Sequence, residues 1–196
     1  QKVRTNYVNQ ILNGDAENYW GPSITTYGDT TINFILSGVD FSVPTTPMEL
    51  KFQGMSFDPH VVRVVLNGET LASANGNSRS PFSNQYSVPT SFLREGANSI
   101  VFRATGVTSD FSFVDSIGIG FARKFVASQN RLNFYTQNYR NAKLEGFSSA
   151  NVRVFDMTSE SAPVLFSNLN VVQDGSTYGI TMPPGRGRLM TAIEDT

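Results

Sequence analysis

His60-Val-Val-Arg-Val-Val-Leu-Asn-Gly68 decides the fold. The six residues after His60 are almost all β-branched or apolar, the composition of a strand packed on a pleated surface. Asn67-Gly68 ends the run with the strongest short hairpin signal, because both central residues of a type I′ turn need positive φ. The strand therefore turns straight back into Glu69–Ser73. Two further phrases have the same form: Leu93-Arg-Glu-Gly-Ala-Asn-Ser-Ile-Val-Phe102 and Val114-Asp-Ser-Ile-Gly-Ile-Gly-Phe121. Each sets a β-rich segment beside turn residues. Together they read as consecutive strands of an extracellular jelly-roll sandwich.

Working outward, Thr31–Leu36, Met48–Gln53, Gln85–Val88, Asn98–Thr105 and Phe111–Phe121 complete this first unit. The last strand is expected to bulge at Gly118 or Gly120, since glycine inside a strand marks bulges. Residues 1–28 read as irregular and 74–83 as a polar loop. Arg131–Tyr135 and Asn151–Asp156 alternate apolar and polar residues, as half-buried strands do. Leu169–Val172, Tyr178–Met182 and Arg188–Ile193 follow, separated by Asp174-Gly175 and Pro183-Pro184-Gly185. No stretch sustains the 3.6-residue period of an amphipathic helix. The expectation is an all-β chain: a jelly-roll β-sandwich of the galactose-binding-like kind over residues 1–124, then a second, smaller β-sandwich-like domain over 125–196.

Composition narrows the function. The 196 residues carry a formal net charge of −1 with acids and bases intermixed. No basic stripe points to nucleic acid or an anionic membrane. No apolar run approaches the ~20 residues of a membrane span, and no signal-peptide pattern opens at Gln1. The chain has no cysteine and a single histidine, His60. Disulfides, thiolate zinc sites and a thiol nucleophile are excluded. A general base at His60 would need an orienting acid and a nucleophile nearby, and no Gly-x-Ser-x-Gly elbow occurs. The competing reading is a strand-end histidine bonded to backbone or solvent.

Several residues are candidates for binding. Tyr19, Trp20 and Tyr27 could form an aromatic platform for sugar rings, or Trp20 could plug one end of the sandwich as core. Asn75, Asn77 and Arg79 lie in the polar loop, which is either a binding edge or a plain connection. Asp15, Glu17, Asp110 and Asp115, with Asp29 nearby, are candidate ligands of a structural calcium, against the reading of solvated turn acids. Gly185-Arg186-Gly187-Arg188 lacks the phosphate-loop pattern and reads as a turn with exposed arginines.

The order of these phrases carries a resemblance. Val114-Asp-Ser-Ile117 precedes a strand and Phe121-Ala-Arg-Lys-Phe125. Val152-Arg-Val-Phe-Asp-Met-Thr158 follows with Pro163, and Leu189-Met-Thr-Ala-Ile-Glu-Asp195 closes the chain. Over roughly residues 15–195 this resembles the β-rich region immediately upstream of the catalytic domain in gingipain-type cysteine peptidases. That broad family includes large secreted bacterial proteins and a secretion-system sortase. Its Cys/His chemistry resides in a separate α/β domain, so no catalytic residue carries over. The resemblance implies a secreted or cell-surface accessory region, with no cofactor of its own, whose partner is a catalytic domain of the same polypeptide. It predicts an apolar docking patch on the second unit, with Phe147, Phe155 and Phe166 as contributors. The alternatives are a carbohydrate-binding module, with glycan as partner, and an adhesion module without a small ligand.

Overall fold

A computed structural model describes residues 4–13, 15–136, 141–159 and 161–195. The chain divides into two compact units, Gln1–Arg123 and Lys124–Thr196. Unit 1 holds β1 (Asn6–Tyr7), β2 (Tyr19–Trp20), β3 (Ser23–Ile24), β4 (Thr30–Leu36), β5 (Thr45–Gly54), β6 (Pro59–Leu66), β7 (Glu69–Asn77), β8 (Pro81–Pro89), β9 (Gly96–Ala104) and β10 (Ser112–Ile119). One 3-10 turn, Thr90–Phe92, separates β8 from β9. Unit 2 holds β11 (Arg131–Tyr135), β12 (Ala142–Phe147), β13 (Val152–Asp156), β14 (Val164–Phe166), β15 (Val171–Asp174), β16 (Thr177–Met182) and β17 (Leu189–Glu194).

Two antiparallel four-stranded sheets, ordered β3-β10-β5-β8 and β4-β9-β6-β7, face each other in unit 1. Alternation along each strand explains the core. On β6 the inward row is His60, Val62, Val64 and Leu66, and on β5 it is Thr46, Met48, Leu50 and Phe52. Successive side chains of a strand point to opposite faces, so both rows meet between the sheets. Phe52 links the layers, set edge-on to Phe102 at 5.5 Å and stacked on Phe82 at 5.0 Å. Unit 2 repeats the plan with sheets β11-β17-β13-β14 and β12-β16-β15. Leu132, Phe134, Val154 and Met190 of the first pack with Leu144, Phe147, Ile180 and Met182 of the second.

The Asn67-Gly68 hairpin forms as expected, with φ of 51° and 98°. Several other expectations need correction. The polar loop at 74–83 is instead the end of β7, a tight turn at Ser78–Ser80 and the start of β8. Its polar residues sit in ladders with β6 and β5, and ladder pairing overrides weak strand propensity. The bulge on β10 falls between Val114 and Ser116, at neither glycine. Asp115 is the extra residue, and its side chain and carbonyl both accept from Arg4. Residues 1–28 contain the three short strands β1 to β3. Strands β12 and β14 fall where no strand was expected.

Candidate functional site

Four connections meet at one end of unit 1: residues 25–29, 55–58, 78–80 and 105–111. His60 lies beneath them on the inward row of β6. Its Nδ1 is 2.6 Å from Asp110 Oδ1 and its Nε2 is 2.9 Å from the Ser78 carbonyl. Both side chains of the pair are fully buried. A carbonyl only accepts, so Nε2 carries a hydrogen and donates. One further proton then lies between Nδ1 and Oδ1, and the pair is neutral as a whole. Asp110 Oδ2 accepts from the Val61 amide at 3.0 Å. Phe82 lies parallel to the imidazole, 5.5 Å away. Both nitrogens of the ring are therefore engaged, and no hydroxyl nucleophile is among its partners.

The same buried groups fix the turn above them. Three consecutive carbonyls accept hydrogen bonds: Ser78 from His60 Nε2, Arg79 from Gln53 Nε2 at 3.0 Å, and Ser80 from the Gly54 amide at 3.0 Å. The Ser78 amide donates to Asp58 O at 3.1 Å. Ser78 holds φ of 56°, a conformation that costs a residue with a Cβ. The other connections are tied in turn. Ser109 Oγ donates to Asp58 Oδ2 at 2.6 Å, and Thr26 Oγ1 donates to Thr108 O at 3.1 Å. From this stitched base Tyr27 (83 % exposed), Phe57 (78 %) and Val107 (48 %) reach into solvent. The Arg79 guanidinium lies over the Phe57 ring, 5.7 Å from its centroid.

A groove of about 620 Å³ runs along the outer face of β5 and β8 beside this end. Leu12, Trp20, Lys51, Arg79, Ser83 and Asp115 are among its walls. Lys51 and Ser83 are cross-strand partners, so they share that face. In unit 2 a second groove, about 650 Å³, is lined by Phe166, Met182, Met190, Arg186 and Arg188 among others. Arg188 pairs with Asp156 at 3.2 Å, and Lys143 of β12 is held above its ordinary value by Glu145 and Asp174.

The residues singled out from sequence are distributed as follows. Trp20 is only 2 % exposed; it is a wall, and its ring face is not offered as a platform. Tyr19 packs edge-on against Tyr7 at 5.3 Å, and Tyr27 stands on a different loop. Asn75 and Asn77 lie on β7. Trp20, Arg79 and Asp115 do converge on the unit 1 groove. Asp15 and Asp115 both pair with Arg4 at 3.0 Å, Asp110 is occupied by His60, and the Glu17 amide is tied to Asn13. Among the described residues no group of three or more metal-ligating side chains converges. Phe147 is core, while Phe155 and Phe166 are half-buried; among the described residues of unit 2 the exposed large apolar side chains are Tyr135, Val164, Leu165 and Val172. Sequence reading missed Phe57, because an isolated loop aromatic gives no periodic signal.

No family profile and no curated protein matches this sequence. Solved structures do. Dimeric latent PorU from Porphyromonas gingivalis aligns over 90 % of this chain and 18 % of its own, at 12 % identity and a TM-score of 0.63. The carbohydrate-binding module CBM36 in complex with calcium and xylotriose aligns over 61 % of this chain and 94 % of its own, at 14 % identity and a TM-score of 0.41. The CBM36-1 domain of a multidomain xylanase from the hindgut metagenome of Trinervitermes trinervoides gives the same score at 14 % identity, over 62 % and 92 %. The chain thus spans less than a fifth of the PorU chain, and the likeness is one of fold: an all-β architecture shared with a β-rich region of PorU.

Proposed function

We propose that this chain is a non-catalytic accessory region of a secreted or cell-surface gingipain-like cysteine peptidase, which packs against the catalytic domain and positions it. The fold likeness to PorU supports this reading, because it runs through 90 % of the chain, more than either unit alone could supply. The chemistry of the chain agrees. It lacks the cysteine such a peptidase needs, and its one histidine is sealed between Asp110 and Ser78. The test is to read the gene beyond Thr196 and then to delete residues 1–196 from its full product. The expected result is an α/β domain with a Cys/His pair whose yield of folded, active peptidase drops on deletion. A reading frame without such a domain, or a peptidase indifferent to the deletion, overturns the proposal.

A second reading, binding of a carbohydrate, is favoured by the unit 1 groove. Sugar sites combine apolar walls with a few placed polar groups, and Lys51, Ser83 and Arg79 lie along a wall that includes Trp20 and Leu12. Titration calorimetry against a panel of neutral and acidic oligosaccharides tests it. Binding that Lys51→Ala and Arg79→Ala weaken supports the reading, and silence across the panel removes it.

A further inference from the structure

Three large apolar side chains stand in solvent at one end of unit 1, each on its own loop: Tyr27, Phe57 and Val107. We propose that this end is a lipid-contacting apex that seats its three tips in the interfacial layer of a bilayer. The first argument is rigidity. The loops that carry the tips are cross-tied by Thr26 to Thr108, Ser109 to Asp58 and Ser78 to Asp58, above the buried His60–Asp110 pair. The loops are thus held in place, and all three tips stand exposed on them. Exposed apolar groups brought to one end of a domain mark interaction surfaces more often than singly scattered ones do.

Shape selects the partner. The three tips project from separate loops and line no part of the groove described above. A rigid partner would need three matched hollows at their spacing, whereas a fluid interface closes around each. One face of Phe57 already carries the Arg79 guanidinium, which leaves less of that ring for stacking on a sugar. Arg79 over an aromatic tip suits the headgroup level, where a charged end stays wet while the ring sinks.

Charge sets the kind of bilayer. Arg63 and Arg103 both pair with Asp29, and Asp58 accepts from Ser109. The buried His60–Asp110 pair is neutral. Three arginines against two aspartates leave one net positive charge at this end. Contact is therefore driven by apolar burial, with little demand for anionic lipid and weak dependence on salt.

The test is co-sedimentation of the full chain with vesicles of phosphatidylcholine, alone and with added phosphatidylserine, at low and high salt. Wild type should partition onto both compositions at both salt levels. Tyr27→Ala and Phe57→Ala should each weaken partition by about tenfold or more, as loss of a buried aromatic requires. Ile35→Ala, which removes an 80 % exposed residue towards the opposite end of β4, should leave it unchanged. All three positions are exposed, so equal thermal midpoints establish that each variant is folded. The proposal is overturned if wild type ignores phosphatidylcholine, if Ile35→Ala matches the tip variants, or if high salt abolishes binding. A glycan or protein ligand lost in the tip variants, with no vesicle binding, would likewise reassign the apex.

Discussion

The imidazole of His60 and the carboxylate of Asp110 meet at 2.6 Å with both side chains fully buried, joining β6 to the loop before β10. Removing one member strands the other without its proton partner in a low-dielectric interior. Asp110→Ala should cost about 3–5 kcal/mol of unit 1 stability in urea denaturation. The double variant His60→Phe with Asp110→Val should cost clearly less than the sum of the singles, since neither charge is left behind. Additive losses would mean the two groups are not coupled.

Gly54 sits where a methyl would overlap the Ser78 carbonyl oxygen and His60 Nε2. One of these is backbone, so it cannot swing aside. Gly54→Ala should lower unit 1 stability by about 1–3 kcal/mol or more, whereas Gly28→Ala at the same end meets nothing within 4 Å and should be near neutral. Similar thermal midpoints for the two variants would sink the account of the turn given above.

Trp20 is the only tryptophan and is buried on β2, the strand that pairs with β1. Its emission should be blue-shifted and shielded from iodide until unit 1 unfolds. Its Nε1 has no partner among the described residues, so Trp20→Phe forfeits volume alone. Trp20→Ala should cost more, about 3–5 kcal/mol. Iodide quenching of the native chain at the rate of the unfolded one would show that Trp20 is not buried.

In unit 2 the Ser148 hydroxyl and amide donate to Glu194, each at 2.7 Å, and hold its carboxyl below the ordinary value of 4.5. Asp156 is held below 3.8, first by Thr158 and then by Arg188. A carboxylate lowered in the folded state binds fewer protons than in the unfolded chain, so its stabilisation is full above the unfolded value. That stabilisation is lost as pH falls through the lowered one. Ser148→Ala should raise the Glu194 midpoint towards 4.5 in a carbon-detected NMR titration. An unchanged midpoint would reject the assignment.

What could be read from the sequence was local. The β-branched run of Val61 to Leu66 and the Asn67-Gly68 turn each depend on neighbours within a few residues, and both the strand and the turn appear in the structure. Asp115 at the bulge is bonded to Arg4, 111 positions away, a pairing that no local signal such as glycine announces. Strands β1 to β3 are two residues long, and β3 is recognisable only from its pairing with β10. Trp20 lies outside the sandwich core cluster, on a two-residue strand too short to carry a periodic signal of burial. Tyr27 was visible as an aromatic and Arg79 as a cation. Their placement at one end with Phe57 follows from strand order.

The turn at Ser78–Ser80 takes its shape from donors on His60, Gln53 and Gly54, all of which lie outside it. None of the three acceptors involves a side chain of the turn. Its backbone is thus a fixed mount, and the side chains at 79 and 80 can be exchanged, by drift or by design, while the scaffold that displays them is kept. Binding preference at this end can diverge between relatives faster than the fold does.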